Sequence, residues 1–481
     1  MHFITPTTGY AMLIIFGIAM VAITYFFGRW GNWNTKEAFL VADREVNWLW
    51  GGFSIAASWI WAPALFVSVQ VAYQMGTAGV FWFVLPNILS LTIFAVLAPK
   101  IREKLPAGYT LPGYIRARLQ SSRVHKIYLF PYLFYQLMAV VVQLYAGGSL
   151  ASLLTGIALP KVMIALAIVV LVYTLISGLK ASIVTDFIQL GMILVIAAVI
   201  LPWAIHAAGG FGALKAGLAG SSQVHGVFDK GVAFTFGVVT SIGLIAGSLS
   251  DQSNWQRAFA IRKTHLVKAF VFGSLLFGIV PLALSTLGFL AANPALHITL
   301  PAGVDVSMVG VQVISKFLPS WVIMIFAVGL LAILSSAFDA GLCAASSLWA
   351  TDVFHPKTNE ESVKVARYSM VGMTALGLLI SLGILYIPHF GLQQLWWVFN
   401  TIAACVMAPT ILSLYKNKLS ERGVFWGVLC AFVLGIPFFV YGNIINNSLW
   451  IVGSSIGIVI ISGVISMTVR RKFEEANDTQ Y

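Results

Sequence analysis

Trp48-Leu-Trp-Gly-Gly-Phe-Ser-Ile-Ala-Ala-Ser-Trp-Ile-Trp-Ala-Pro63 is apolar enough to sit in a lipid bilayer, yet it runs into a residue that a membrane helix accommodates badly. Proline has no backbone N–H and its ring clashes one turn back, so carbonyls near Trp59 and Ile60 lose their partners. In lipid, bare carbonyls persist only where they line a protein cavity or where neighbours re-satisfy them. Two readings follow: a kink packed by neighbouring helices, or a broken helix whose free carbonyls bind a cation.

The rest of the chain is built of similar material. Of 481 residues, 59% are apolar and 9% are charged, against roughly 25% charged in a soluble domain. Apolar runs fall near 10–28, 47–71, 79–99, 127–155, 160–177, 183–207, 231–249, 265–292, 320–350, 368–387, 391–415, 423–442 and 448–469. Each is close to or above the roughly 20 residues that cross a bilayer core. The expected architecture is therefore all-α and integral to the membrane, with about thirteen transmembrane helices forming one domain over 1–481.

The formal charge of +12 resembles a nucleic-acid footprint until the charges are placed. With the N-terminus outside, the cytoplasmic segments hold all of the Lys and Arg except Lys161, Lys215, Lys230 and Lys316. Lys100, Arg102, Lys104, Arg116, Arg118, Arg123 and Lys126 form the main cluster, and Arg470, Arg471 and Lys472 add to it in the tail. This is the positive-inside distribution. It implies a multi-pass protein of the plasma or inner membrane with a cytoplasmic C-terminus, and it excludes a nucleic-acid partner. Cys343, Cys405 and Cys430 all fall in apolar runs, so no disulfide frame or CxxC metal site is expected. The leader Met1 to Tyr10 lacks Lys and Arg, which argues against a cleavable signal peptide.

Polar residues at membrane depth mark function. Ser335, Ser336 and Asp339 lie within about one helical turn in the ninth run and form a hard-oxygen cluster suited to Na⁺ or a proton. Asp186 enters the sixth run just inside its cytoplasmic end, and Asp339 lies about 29 Å into the ninth from outside. Both carboxylates thus reach the inner part of the membrane, where no Lys or Arg is expected beside them. A pair without a basic partner requires a bound cation or a held proton.

Several stretches resemble the sodium/solute symporter family. Gly178-Leu-Lys-Ala-Ser-Ile-Val-Thr-Asp-Phe-Ile-Gln189 is similar to its glycine-to-Thr-Asp-x-x-Gln signature. Asp251-Gln-Ser-Asn-Trp-Gln-Arg-Ala-Phe-Ala260 resembles its Asp-Gln-x-x-x-Gln-Arg segment, and Ala332-x-x-Ser-Ser336 followed by Ser346-Ser-x-x-x-x-Asp352 resembles its ninth-span signature. The resemblance covers nearly the whole chain. It implies the LeuT-type fold, with five-plus-five inverted repeats over about 46–207 and 229–415 and peripheral helices at 10–28, 423–442 and 448–469. Gly and Ser in both the second and the seventh runs fit that symmetry.

The resemblance also implies a sodium site formed by the carbonyls of Ala57, Ile60 and Ala332 and the hydroxyls of Ser335 and Ser336. A second family site resembles Asp186 with serines on span nine, but Phe338 and Asp339 stand where two of those serines belong. A proton shared by Asp186 and Asp339 is the alternative there. Within the family, Trp59-Ile-Trp61, Val71-Ala-Tyr-Gln-Met-Gly76 and Gly79-Val-Phe-Trp82 most resemble the urea-transporting branch, and the Trp59 position also resembles choline transporters.

The expected solute site comprises Trp59, Trp61, Trp82, Gln136, Gln143, Ser248, Trp397, Asn400 and Thr401. It contains no Arg or Lys to pair a carboxylate, so a small neutral hydrogen-bonding solute fits, as does a quaternary ammonium through cation–π contact. Na⁺-coupled symport of such a solute is the expected function, with H⁺ as the other coupling ion. A membrane sensor on the same fold is the non-transporter alternative. No Ser/His/Asp set or HExxH motif supports an enzyme. The sequence leaves the oligomeric state open.

Overall fold

A computed structural model describes residues 4–28, 35–224, 226–386, 392–416 and 419–469. The expected tail cluster Arg470, Arg471 and Lys472 lies outside the described residues. Among those residues the fold is helical, and its only β feature is a bridge between Val46 and Ile261. The helices that position the site are α1 (Pro6–Gly28), α2 (Trp48–Trp59), α3 (Ser68–Thr92), α4 (Ser122–Thr155) and α5 (Leu159–Ala207). They are followed by α6 (Val238–Ser250), α7 (Gln252–Ala260), α8 (Leu266–Ala292), α9 (Ser320–Leu348), α10 (Asn359–Ile384) and α11 (Leu392–Tyr415). The bundle ends with α12 (Glu421–Cys430), α13 (Ile436–Ile444) and α14 (Ser448–Thr468).

Twelve helices among the described residues are long and apolar enough to cross a membrane. They account for the thirteen expected segments once the second is seen to be divided. Its first half is the twelve-residue α2, too short to span alone. Its second half runs on from Pro63 into the third segment as one stretch to Lys104. The chain turns within that stretch at Gly76, where φ is 61° and ψ is −146°. A Cβ at Gly76 would lie 2.3 Å from the carbonyl oxygen of Leu218, so the turn needs glycine for both its backbone angle and its close approach. Gly178 does the same between the fifth and sixth segments, with φ 62° and ψ −151° inside α5.

The surface inverts the order of a soluble protein. Ile14, Ile18, Leu275 and Leu379 are exposed, whereas Ser335, Ser336, Asp339, Ser346 and Ser347 on α9 are buried. Apolar atoms facing outward suit lipid, and polar atoms facing inward mark an internal pathway. The broken second segment packs against α8 on one side, and α2 also packs against α5 and α9. Of the helices expected to be peripheral, α1 packs against α5 and α14 against α11 and α12. One end of the bundle carries Arg44, Arg102, Arg116, Arg118, Arg262 and Lys263 and is called the basic face below.

Candidate functional site

The site begins at the break. Asn47 caps α2, its side chain accepting from the N–H groups of Leu49 and Trp50 at 3.0 and 3.1 Å. The helix ends at Trp59, and Ile60 leaves helical geometry with ψ 74°. The Trp61 N–H turns back to the Trp59 carbonyl at 2.9 Å instead of reaching Ala57. The Ala57 carbonyl receives only the Ile60 N–H, at 3.2 Å, and the Ile60 carbonyl receives no backbone donor among the described residues. The Ala62 N–H finds its partner on another helix, the Gln143 Oε1 of α4, at 3.0 Å. Pro63 thus ends the helix as its missing donor and ring require, and the ladder is broken between Trp59 and Pro63.

On α9, Ala332, Ser335 and Ser336 are buried, on a helix that packs against α2 and α5. The Ser335 hydroxyl donates to the Leu331 carbonyl at 2.8 Å, and the Ser335 carbonyl accepts from the Tyr173 hydroxyl at 3.0 Å. The Ser336 hydroxyl donates to Asp186 Oδ1. Each serine has spent its one proton, so the remaining capacity of its oxygen is lone pairs.

The expectation that both intramembrane carboxylates lack a basic partner is wrong for Asp186. Arg257, fully buried on α7, places Nη2 3.0 Å from Asp186 Oδ2. Its Nε donates to the Ser54 hydroxyl at 2.9 Å, and Ser54 in turn donates to Asp186 Oδ2 at 2.5 Å. Four elements (α2, α5, α7 and α9) therefore meet at one carboxylate. Asp339 is held differently. It accepts from Thr185 at 3.3 Å and from the Cys343 thiol at 3.5 Å, and no Lys, Arg or His lies within 4.0 Å of it among the described residues.

Arg257 was missed because the seventh apolar run ends at 249. Every residue of α7 is nevertheless buried, from Gln252 to Ala260. Its polar groups pair with the bundle: Gln252 with the Tyr109 carbonyl, Gln256 with the Leu40 and Cys343 carbonyls, Trp255 with the Leu249 carbonyl. The Asp-Gln-x-x-x-Gln-Arg segment was the available signal.

A cavity of about 20 Å³ opens at the break, room for about one water-sized group. Trp59, Trp61, Pro63, Ala64, Phe83, Asn87, Tyr135, Leu244 and Trp396 line it. Trp59 Nε1 donates to Asn87 Oδ1 at 3.0 Å, and Trp61 Nε1 caps the end of α2 by donating to the Ser58 carbonyl at 2.9 Å.

Of the nine expected solute residues, Trp59 and Trp61 line this cavity. Asn400 stands behind it, accepting from the Tyr135 hydroxyl at 3.3 Å. The other six do not line it. Gln143 closes the break, and Gln136 donates to Asp251 at 3.3 Å. Ser248 and Thr401 donate to the carbonyls of Ser90 and Trp397. Trp82 lies against Gly237, where a Cβ would come within 2.5 Å of its ring, and Trp397 packs beside Phe236. Tyr135 and Trp396 are one residue from Gln136 and Trp397, and one residue on a helix is a rotation of 100°. Asn87 carried the signal of a polar residue inside an apolar run.

A model of the sodium:solute symporter family matches residues 39–431. The chain is 28% identical over 308 residues to "Probable urea active transporter 1" of Schizosaccharomyces pombe, a match covering 60% of this chain and 46% of that protein. It is 24% identical over 476 residues to a urea-proton symporter of Oryza sativa subsp. japonica, covering 90% and 65%. The match thus spans about half to two thirds of the length of these relatives, which are transporters and not enzymes. Among solved structures, a Na⁺-coupled sialic acid symporter in its substrate-bound, outward-open state shares the fold with a TM-score of 0.75 at 17% identity, over 95% of this chain and 97% of that one. With the family model covering most of its length, the chain belongs to the sodium:solute symporter family.

Proposed function

We propose that the chain is a secondary active transporter that moves a small neutral solute of the urea type into the cell, driven by sodium entering with it. The observation that carries this reading is the break in the second segment. Trp59, Trp61, Pro63 and Ala64 wall the cavity, and the same few residues of backbone offer the carbonyls of Ala57 and Ile60. A cation bound at those carbonyls fixes the wall of the solute cavity, and coupling is such a dependence of one ligand's affinity on the other. Ala332, Ser335 and Ser336 complete the sodium ligands, with both hydroxyl protons already engaged and the lone pairs free for a cation.

The cavity lining contains no charged side chain, which favours a neutral solute over a sugar acid or an amino acid. The names of the relatives, urea transporters, favour urea over a quaternary ammonium, the aromatic-walled alternative. Segments 46–207 and 229–415 act as the two halves that exchange access between sides, with 10–28, 423–442 and 448–469 peripheral. The protein lies in the plasma or inner membrane with its N-terminus outside, so the basic face is cytoplasmic.

A second reading, proton coupling, is supported by Asp339, a buried carboxylate whose donors are a hydroxyl and a thiol. The name of the rice relative, a urea-proton symporter, supports the same reading. Uptake of labelled urea into proteoliposomes under an imposed sodium gradient, a proton gradient, or neither separates the two. Accumulation under the sodium gradient alone is the expected result. Accumulation under the proton gradient alone transfers the coupling role to Asp339, and a sensor would accumulate nothing under either.

A further inference from the structure

On the side of the cavity away from the basic face, α3 and α11 are tied by amides. Gln70 Nε2 donates to Gln393 Oε1 at 2.9 Å and to Gln74 Oε1 at 3.3 Å. Gln70 Oε1 is buried with no partner. Turning all three amides over exchanges donors for acceptors but still leaves one end of the Gln70 amide unpaired. A buried, unpartnered amide group costs free energy until something fills it.

The position of this cluster is set by the cavity beneath it. Gln70 lies six residues beyond Ala64, about 9 Å along a helix, and Gln393 lies one turn before Trp396. Ala64 and Trp396 both line the cavity. Thr240 on α6 shares a helical face with Leu244, another lining residue one turn deeper. Its Oγ1 is also buried without a partner. One turn from the cavity there is thus a second unfilled hydrogen-bonding group.

We propose that Gln70, Gln74 and Gln393, with the Thr240 hydroxyl below them, form an outer gate that doubles as a first binding station for solutes carrying both a carbonyl and N–H groups, the ureas and carboxamides. The inference rests on the transport reading above and extends it to a site that reading does not use. A solute of this class replaces each gate bond with one of its own. Its N–H groups donate to Gln70 Oε1 and to the freed Gln393 Oε1, and its carbonyl accepts from Gln70 Nε2 or from Thr240. The exchange is close to even, because one neutral amide bond is traded for another. A quaternary ammonium has no N–H to donate and no carbonyl to accept with, so it cannot make the exchange.

Two arms test this and fail separately. In the first, Ala64→Cys is introduced in a Cys430→Ser background, and a membrane-impermeant thiol reagent is applied from outside in sodium. This arm reads the gate whether or not urea is the solute. Gln70→Leu and Gln393→Leu, on different helices, should each speed labelling at least about five-fold, the worth of one hydrogen bond of about 1 kcal/mol. The double variant should be no faster than the quicker single, since both remove one tie. Labelling at the parent rate in both single variants overturns the gate.

In the second arm, uptake of labelled urea is competed with acetamide and with choline. Gln70→Leu should raise the KM for urea and the inhibition constant of acetamide together, with kcat within about twofold. If both constants stay at the parent values, the binding station is overturned while the transport reading stands. If the parent takes up no urea, the transport reading fails and the gate is decided by the labelling arm.

Discussion

Asp186 and Asp339 share one buried layer, and the protein treats them in opposite ways. Asp186 meets a guanidinium and two hydroxyls from α7, α2 and α9. Asp339, bonded to Thr185 beside Asp186 in sequence, meets that hydroxyl and the Cys343 thiol and no guanidinium within 4.0 Å among the described residues. An ionised carboxylate removed from water requires compensation of its charge. For Asp186 the chain carries its own compensating cation. For Asp339 no such cation lies within 4.0 Å among the described residues, so the acid is either neutralised by a proton or balanced by a cation that the chain does not supply. One acid is thereby part of the scaffold, and the other is suited to a travelling ion.

The largest expected effect comes from removing the permanent partner. Arg257→Gln leaves Asp186 charged and unpaired among four helices, a loss of about 3–5 kcal/mol for a broken buried pair. The expected outcome is a large drop in the melting temperature of the purified protein and in the monodisperse fraction on size exclusion. Asp186→Asn added to Arg257→Gln should recover most of the loss. If the single variant melts like the parent, the distinction between the two acids collapses.

Ser336→Ala is expected to act at intermediate scale, because that hydroxyl touches Asp186 and offers its lone pairs to the proposed sodium site. The sodium concentration for half-maximal uptake should rise about five-fold, equivalent to about 1 kcal/mol. Ser335→Ala, whose proton goes only to its own helix, should raise it without lowering thermal stability. Unchanged sodium dependence in both would remove the α9 hydroxyls from the site.

Asp339→Asn should have the smallest effect on the folded protein, since no ionic partner is abandoned. It fixes the side chain in a neutral form, so it should flatten the pH dependence of uptake while the sodium dependence stays within about twofold. A mutant pH profile that overlays the parent's would show that Asp339 carries no travelling proton.

Much of this is legible in the sequence. The thirteen apolar segments follow from hydropathy, and the helix break follows from Pro63, because the lost N–H is a covalent fact independent of context. Arg257 was not legible from hydropathy. A window that averages polarity cannot recognise a helix such as α7, whose polar groups are buried because they bind neighbouring carbonyls. The lining of the cavity at the break was half legible for another reason. Trp61 and Trp59 flank the break and were placed by it, whereas Trp397 and Gln136 sat in uninterrupted helices where nothing fixed the rotation. Their neighbours Trp396 and Tyr135 line the cavity instead.

The break also has a mechanical meaning. With twelve residues, α2 is a rod about 18 Å long pivoting at Ile60. A tilt of about 10° there carries its Trp48 end by about 3 Å, the scale of a hinge motion. That far end is pinned by two main-chain bonds, Val46 N–H to the Ala260 carbonyl at 3.2 Å and Arg262 N–H to the Val46 carbonyl at 3.0 Å. The rod is further pinned near its middle, about 9 Å short of its pivot, by Ser54 on Arg257 and Asp186. Swinging it requires releasing those fastenings and the Gln143 amide at the pivot. The stiffness of this lever therefore resides in a handful of hydrogen bonds at its two ends and its middle.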